Sequence, residues 1–302
     1  MSTNCKLPTQ SFTLPIQAPF DWQSLLAFLR LRATPGVETV TDSAYLRTAG
    51  EGPTLHRVSV SHDPANSVMQ VNYTGPARDR SGIEQRVRQL FKPDVNTGEI
   101  EMSLARDRWL KRFVIRQPGL RVPGGWCGFE VAMRAILGQQ ISVAAATTLM
   151  GRLVRMAGAR VNESDWIFPS PEQVLTADLS GLGIPGKRRE TVKSLAAFFA
   201  GQNDECLLRA DAMERLLAIN GIGRWTAGYI LMRTSDTHDF WPEGDLVLRK
   251  ALGKNKVLVT PSALAQAFSR WTPYRSYAAI HIWRGYVSSA NAARVDSYDD
   301  AK

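Results

Sequence analysis

A chain of 302 residues with 44% hydrophobic side chains is long enough for two or three domains and has the composition of a soluble globular protein. The formal charge is +9 and the pI about 9.7, but the excess is uneven: residues 1–100 hold 10 Lys and Arg against 9 Asp and Glu, residues 101–302 hold 27 against 19. A polyanionic partner would therefore meet the later part, although a merely soluble basic protein shows the same balance, and no run of about 18 apolar residues offers a membrane span.

Residues 1–10 are polar, read as loose, and have no apolar core for a secretory signal. Ser11 to Ile16 alternates and is strand-like. Asp21 caps a helix over Trp22–Arg32 with Leu25, Leu26, Phe28 and Leu29 on one face. Thr39-Val40 and Ala44-Tyr45-Leu46 are strand-like. Leu55–His62 and Ser67–Tyr73 alternate around Asp63-Pro64-Ala65-Asn66, which predicts a β-hairpin. Ser81–Phe91 is an amphipathic helix. Residues 1–95 therefore read as a small α+β domain with an antiparallel sheet, and nothing catalytic is visible in it.

From Gly98 onward strand signals nearly vanish. Helices are expected at Ile100–Arg106, Arg108–Ile115, Gly128–Leu137, Val143–Met156, Pro171–Thr176, Lys187–Ala200, Asp211–Leu217, Trp225–Met232, Leu246–Leu252, Pro261–Phe268 and Tyr274–Tyr286. Residues 96–302 read as an all-α region of short helices. The loop Gly181 to Gly186, followed by Lys187-Arg188-Arg189, either touches phosphate or is a helix stop and start with a solvated basic turn.

The most informative stretch runs from Leu216 to Asp245. Apolar residues end at Asn220-Gly221-Ile222-Gly223, and a helix resumes at Trp225, so 216–232 reads as helix, glycine turn, helix. The free amides of such a turn and the helix dipole make an anion site, with Arg224 beside it; a purely structural turn is the alternative. Trp225 and Tyr229 are four apart and share a helix face. Asp245 follows Pro242-Glu243-Gly244 at a helix start, as an ordinary N-cap or as a functional carboxylate.

The pattern Leu217-x-Ile219-x-Gly221-Ile222-Gly223-x-x-Thr226-Ala227, then Asp245, resembles the helix-hairpin-helix DNA glycosylases. Within that superfamily the chain is similar to the bacterial 3-methyladenine DNA glycosylase II family. Asp21-Trp22, Val37 to Val40, Pro118 to Gly124, Arg134 to Gln139 and Arg275 to Ala278 carry that similarity, which spans Pro19 to Trp283. The resemblance implies a two-lobed helical glycosylase region with the hairpin and a catalytic aspartate, Asp245, lining the cleft. It implies DNA phosphate contacts from Gly221, Gly223, Arg224, Trp225 and Thr226, and a monovalent cation on the carbonyls of Ile219 and Ile222. It places Gln140 where the family plugs the gap left by a flipped base; an exposed loop glutamine is the alternative. Trp225, Tyr229 and Trp283 match its base-pocket positions; Trp241 and Phe28 are plausible additions, each with core packing as the alternative.

The implied reaction breaks the C1′–N bond of a flipped base, with a carboxylate beside the oxocarbenium-like sugar. A base alkylated at N3 or N7 is cationic, attracted to aromatic faces, and leaves without a general acid. Bifunctional relatives carry a lysine one residue after the position of Arg224; here Trp225 stands there, so a monofunctional enzyme is expected. The rivals are a non-catalytic helix-hairpin-helix DNA-binding module and a glycosylase for deaminated or oxidised bases.

Cys5, Cys127 and Cys206 make neither a disulfide framework nor a metal knuckle, and three cysteines cannot hold the four-cysteine iron–sulfur cluster of some relatives. His56, His62, His238 and His281 show no ligand spacing for zinc. No cofactor is expected, only the hairpin cation. The expected partner is damaged double-stranded DNA and no membrane, for a monomer in the bacterial cytoplasm at the nucleoid. The segment before Pro19 is too short for an appended methyl-transfer domain.

Overall fold

The computed structural model describes residues 8–51, 54–202, 204–253 and 257–286; Cys5 and Lys254 lie outside them. Strands β1 (Thr9–Pro15), β2 (Glu38–Val40), β3 (Ala44–Glu51), β4 (Thr54–Asp63) and β5 (Val68–Thr74) form one antiparallel sheet in the order β1-β5-β4-β3-β2. Alternation sets its faces: Met69, Val71 and Tyr73 of β5 point inward while the residues between them are half-exposed. Helix α1 (Trp22–Arg30) covers that inner face with Trp22, Leu25, Leu26 and Leu29; Asp21 caps it by accepting the Ser24 amide at 2.9 Å. Helix α2 (Arg80–Phe91) adds Ile83, Val87, Leu90 and Phe91 to the same core.

The rest is mainly helical: α3 (Thr97–Leu104), α4 (Arg108–Val114), α5 (Gly128–Leu137), α6 (Val143–Ala157), α7 (Pro171–Thr176), α8 (Gly186–Phe199), α9 (Ala212–Leu217), α10 (Arg224–Thr234), α11 (Leu246–Leu252), α12 (Pro261–Ser269) and α13 (275–286). The expected strand-free stretch has an exception. β6 (Ala159–Arg160) and β7 (Trp166–Ile167) pair antiparallel, and two residues each are too few for a period to register. None of the described helices is long and apolar enough to cross a membrane.

Two further cores organise the helices. One gathers α5, α6, α8 and much of α10; the other gathers α3, α4, α12 and α13. Helix α10 serves both. Ala227, Ile230 and Leu231 belong to the first, Met232 to the second, and Tyr229 packs against each. The site below is built at this shared wall. The sheet is joined to the helices by Arg121, 1% exposed, whose guanidinium donates to the carbonyls of Gln17 (2.6 Å), Pro19 (2.9 Å), Lys92 (3.1 Å) and Gly119 (3.1 Å) and to Thr97 Oγ1 (2.8 Å).

His281 on α13 is fully buried, and neither ring nitrogen has a protein partner among the described residues. Burial lowers its pKa from 6.5 to about 4. The unfolded chain therefore binds a proton that the folded chain refuses. The stability present above pH 6.5 is lost as the pH falls toward 4, on the order of 3 kcal/mol for this one group. Urea titrations at pH 7, 5.5 and 4.5 should show this fall, and His281→Leu should flatten it.

Candidate active site

Helix α9 ends at Leu217, the Ile222 amide donates to the Ile219 carbonyl at 3.0 Å, and α10 starts after Gly223. Gly221 needs to be glycine: its φ is +91°, and a Cβ there would run into the hydroxyl of Thr191 on α8. Gly223 does not need left-handed angles. Its φ of −98° and ψ of 176° suit any residue, and a Cβ would meet nothing within 4 Å. Of the two glycines, only Gly221 relieves backbone strain. At Gly223 the absent side chain leaves open space in front of the helix.

That space is lined by donors. The amides of Gly221, Gly223, Arg224, Trp225 and Thr226 have no acceptor among the described residues. The turn is braced from behind. Thr191 Oγ1 donates to the Asn220 carbonyl (2.9 Å), and Gln139 Nε2 donates to the Gly221 carbonyl (2.9 Å) and to Thr226 Oγ1 (3.1 Å). The Thr226 side chain is therefore buried and occupied, which leaves its amide for an anion. Arg224 is largely exposed, 3.9 Å from Glu243.

Asp245 is the N-cap of α11 and only 7% exposed. Its Oδ1 accepts the Leu248 amide at 2.9 Å and the Trp283 indole N–H at 3.0 Å; its Oδ2 accepts the Trp225 indole N–H at 2.9 Å. Three helices thus converge on one carboxylate. Gly228 permits this, because a Cβ on that face of α10 would collide with the Trp241 carbonyl as the chain passes on its way to Asp245. Asp245 caps α11, and it also accepts two indole N–H groups that capping does not require.

The aromatic positions divide. Trp225 stacks on Tyr229 (centroids 5.3 Å, planes 4° apart), and Tyr229 lies 6.4 Å from Trp283. Phe28 is half-buried and reaches this group through Arg233, whose guanidinium lies 5.1 Å from its ring and 5.5 Å from that of Tyr229. Trp241 is a correction. It is 5% exposed, stacks on Phe268 at 4.1 Å and belongs to the core of α12 and α13, so it offers no pocket face. Gln140 is exposed with φ +60°, a left-handed angle in a loop whose neighbour, Gln139, is tied to the hairpin.

The sequence reading missed the cations behind the pocket. Arg233 Nη1 donates to Tyr229 Oη at 3.1 Å and is anchored on the Pro123 and Gly124 carbonyls; Arg32 lies 3.8 Å over Phe28; Arg134 donates to Thr34. Burial raises the pKa of the Tyr229 hydroxyl, but the charges of Arg233 and Arg32 outweigh it and bring it below the ordinary value. Burial lowers the pKa of Arg32 and Arg134. Arg32 and Arg233 lie over the rings of Phe28 and Tyr229. Their spacing along the chain follows no period, so only the fold brings them together. Thr191, which braces the hairpin from 29 residues away, was equally silent.

Comparison with known proteins shows the family. Residues 11–127 match the family model of the AlkA N-terminal domain. The chain is 34% identical to DNA-3-methyladenine glycosylase 2 of Escherichia coli, over 90% of this chain and 96% of that protein. It is 35% identical to a probable bifunctional transcriptional activator/DNA repair enzyme AlkA of Mycobacterium tuberculosis, over 93% of this chain and 58% of that protein. Its fold matches the 3-methyladenine DNA-glycosylase of Archaeoglobus fulgidus with a TM-score of 0.76 at 21% identity, over 90% of this chain and 96% of that one. The likeness spans both the five-stranded antiparallel sheet and the helices that follow it. Identity carried across nearly the whole of both chains decides the matter: the protein belongs to the family of DNA-3-methyladenine glycosylase 2.

Proposed function

We propose that the protein is a monofunctional DNA glycosylase that flips N3- and N7-alkylated purines out of duplex DNA and hydrolyses their N-glycosidic bond, opening base excision repair. The observation that carries the reading is the Asp245 carboxylate, buried and joined through Trp225 to the first turn of the hairpin helix. The free amides of Gly221, Gly223, Arg224, Trp225 and Thr226 take the phosphates beside the lesion. Gln140, held out by its backbone angle, fills the gap in the stack. The carbonyls of Ile219 and Ile222 are neutral oxygens of the kind that ligates a monovalent cation; Ile219 also accepts the Ile222 amide. Such an ion would neutralise phosphate charge at the turn.

The flipped base rests against the tryptophan faces, which carry no guanidinium of the pocket cluster. A cationic base departs with its bonding electrons and ends neutral. Asp245 stabilises the positive sugar left behind, and more strongly because water is excluded around it. Water then takes C1′ and an abasic site remains. The residue after Arg224 is Trp225, and Lys250 is exposed on α11, so neither supplies an imine-forming amine in the site. The protein works as a monomer on chromosomal DNA in the cytoplasm.

The arginine cluster favours a second reading beside the first. A neutral deaminated purine would gain hydrogen bonds where an alkylated cation meets repulsion. Release of 3-methyladenine, 7-methylguanine and hypoxanthine from matched duplexes ranks the two.

Asp245→Asn should keep duplex binding and lose excision by roughly 100- to 1,000-fold or more; wild-type release would remove Asp245 from the mechanism. The two glycines should separate. Gly221→Val should cost about 2 kcal/mol or more of stability in a thermal melt. Gly223→Val should fold normally yet bind damaged and undamaged duplexes more weakly by the same factor, because phosphate contacts carry no base information. Borohydride during turnover should trap no protein–DNA adduct, and strands should break only after alkali; a good yield of adduct would restore a lyase.

A further inference from the structure

We propose that the indole N–H groups of Trp225 and Trp283 are positioning groups for catalysis, which fix the plane of the Asp245 carboxylate and leave Oδ2 as the oxygen that faces the sugar. The inference rests on the reading of Asp245 as the catalytic carboxylate.

An ionised carboxylate offers about four acceptor sites, two on each oxygen. Oδ1 uses both of its sites, on the Leu248 amide and the Trp283 indole. Oδ2 uses one, on the Trp225 indole, and keeps one lone pair unbonded. The three donors come from α11, α13 and α10, so rotation about the carboxyl bond breaks at least one bond whichever way it turns. Indole nitrogen donates and never accepts. It can hold the ionised carboxylate, but it cannot take up a proton in exchange.

Capping does not explain the pair. Asn96, Ser142 and Thr260 cap their helices through backbone amides alone. Asp107 caps α4 and takes one indole, from Trp271, while Arg270 approaches the same oxygen at 3.6 Å. At Asp245 a second indole comes from the hairpin helix itself, so that the element that meets phosphate also aims the charge. A carboxylate already aligned need not reorganise as the sugar becomes positive.

The test separates ring from N–H. Trp283→Phe removes both the donor and part of the stacking surface. β-(3-benzothienyl)alanine at position 283 keeps the bicyclic ring and replaces N–H with sulfur. The two proteins should lose single-turnover excision of 7-methylguanine to a similar extent, roughly 10- to 100-fold, while the duplex dissociation constant stays within about twofold. If the benzothienyl protein excises at the wild-type rate, the ring matters and the N–H does not, and the proposal is overturned. A second measurement does not depend on either substitution at 283. In Asp245→Asn, which keeps the cap, the indole ¹⁵N–¹H signals of Trp225 and Trp283 should both move upfield; signals that stay in place would also overturn it. Excision that survives in Asp245→Asn would instead refute the catalytic assignment of Asp245 on which the proposal stands.

Discussion

A charged carboxylate removed from water has to be surrounded by donors, and that requirement at Asp245 shapes the helical half of the molecule. Its donors belong to α10, α11 and α13, so these three helices are fixed relative to one another. The segment leading to it is held at Asp239, Phe240 and Trp241. Gly228 lets the backbone at Trp241 lie against α10, and Arg275 on α13 grips Asp239 through two hydrogen bonds of 2.8 and 2.7 Å while Ser276 donates to the Phe240 carbonyl. The Arg275 to Ala278 motif is thus an anchor for the approach to the carboxylate.

The hairpin depends on a second set of braces. Thr191 and Gln139 occupy the carbonyls at the tip, so the turn cannot relax toward its own amides. The donors of the α10 terminus therefore stay pointed outward, so that an anion bound there would require little reorganisation. Gln139 also links the Gln140 loop to the hairpin. The Gln140 loop and the hairpin turn are thereby held to one another.

Much of this was legible from local pattern. The alternation of β4 and β5, the cap at Asp21 and the helix start at Asp245 are short-range effects that a sequence displays directly. The features that escaped are long-range or edge-on. Trp241 reads as a pocket aromatic until Phe268 is seen stacked on it from a different helix. Arg32, Arg134 and Arg233 come from three elements and share no spacing. Aromatic residues at 225 and 283 suggest stacking faces, whereas the structure puts their N–H edges to use on Asp245. Gly223 shows the opposite error, since a glycine there looks conformational and turns out to be spatial.

The seam at Arg121 has a consequence for how such a protein can vary. Four of the five oxygens that receive its guanidinium are main-chain carbonyls, at Gln17, Pro19, Lys92 and Gly119. These contacts ask for the path of the backbone rather than for particular side chains, except at Gly119, where φ is +78° and a Cβ would run into the Phe20 amide. A chimera that borrowed its first hundred residues from a distant relative would be judged on the course of its chain past residues 17–19 and 92, and hardly at all on its sequence identity there. The seam would act as a template for shape, passed on through geometry while the letters around it change.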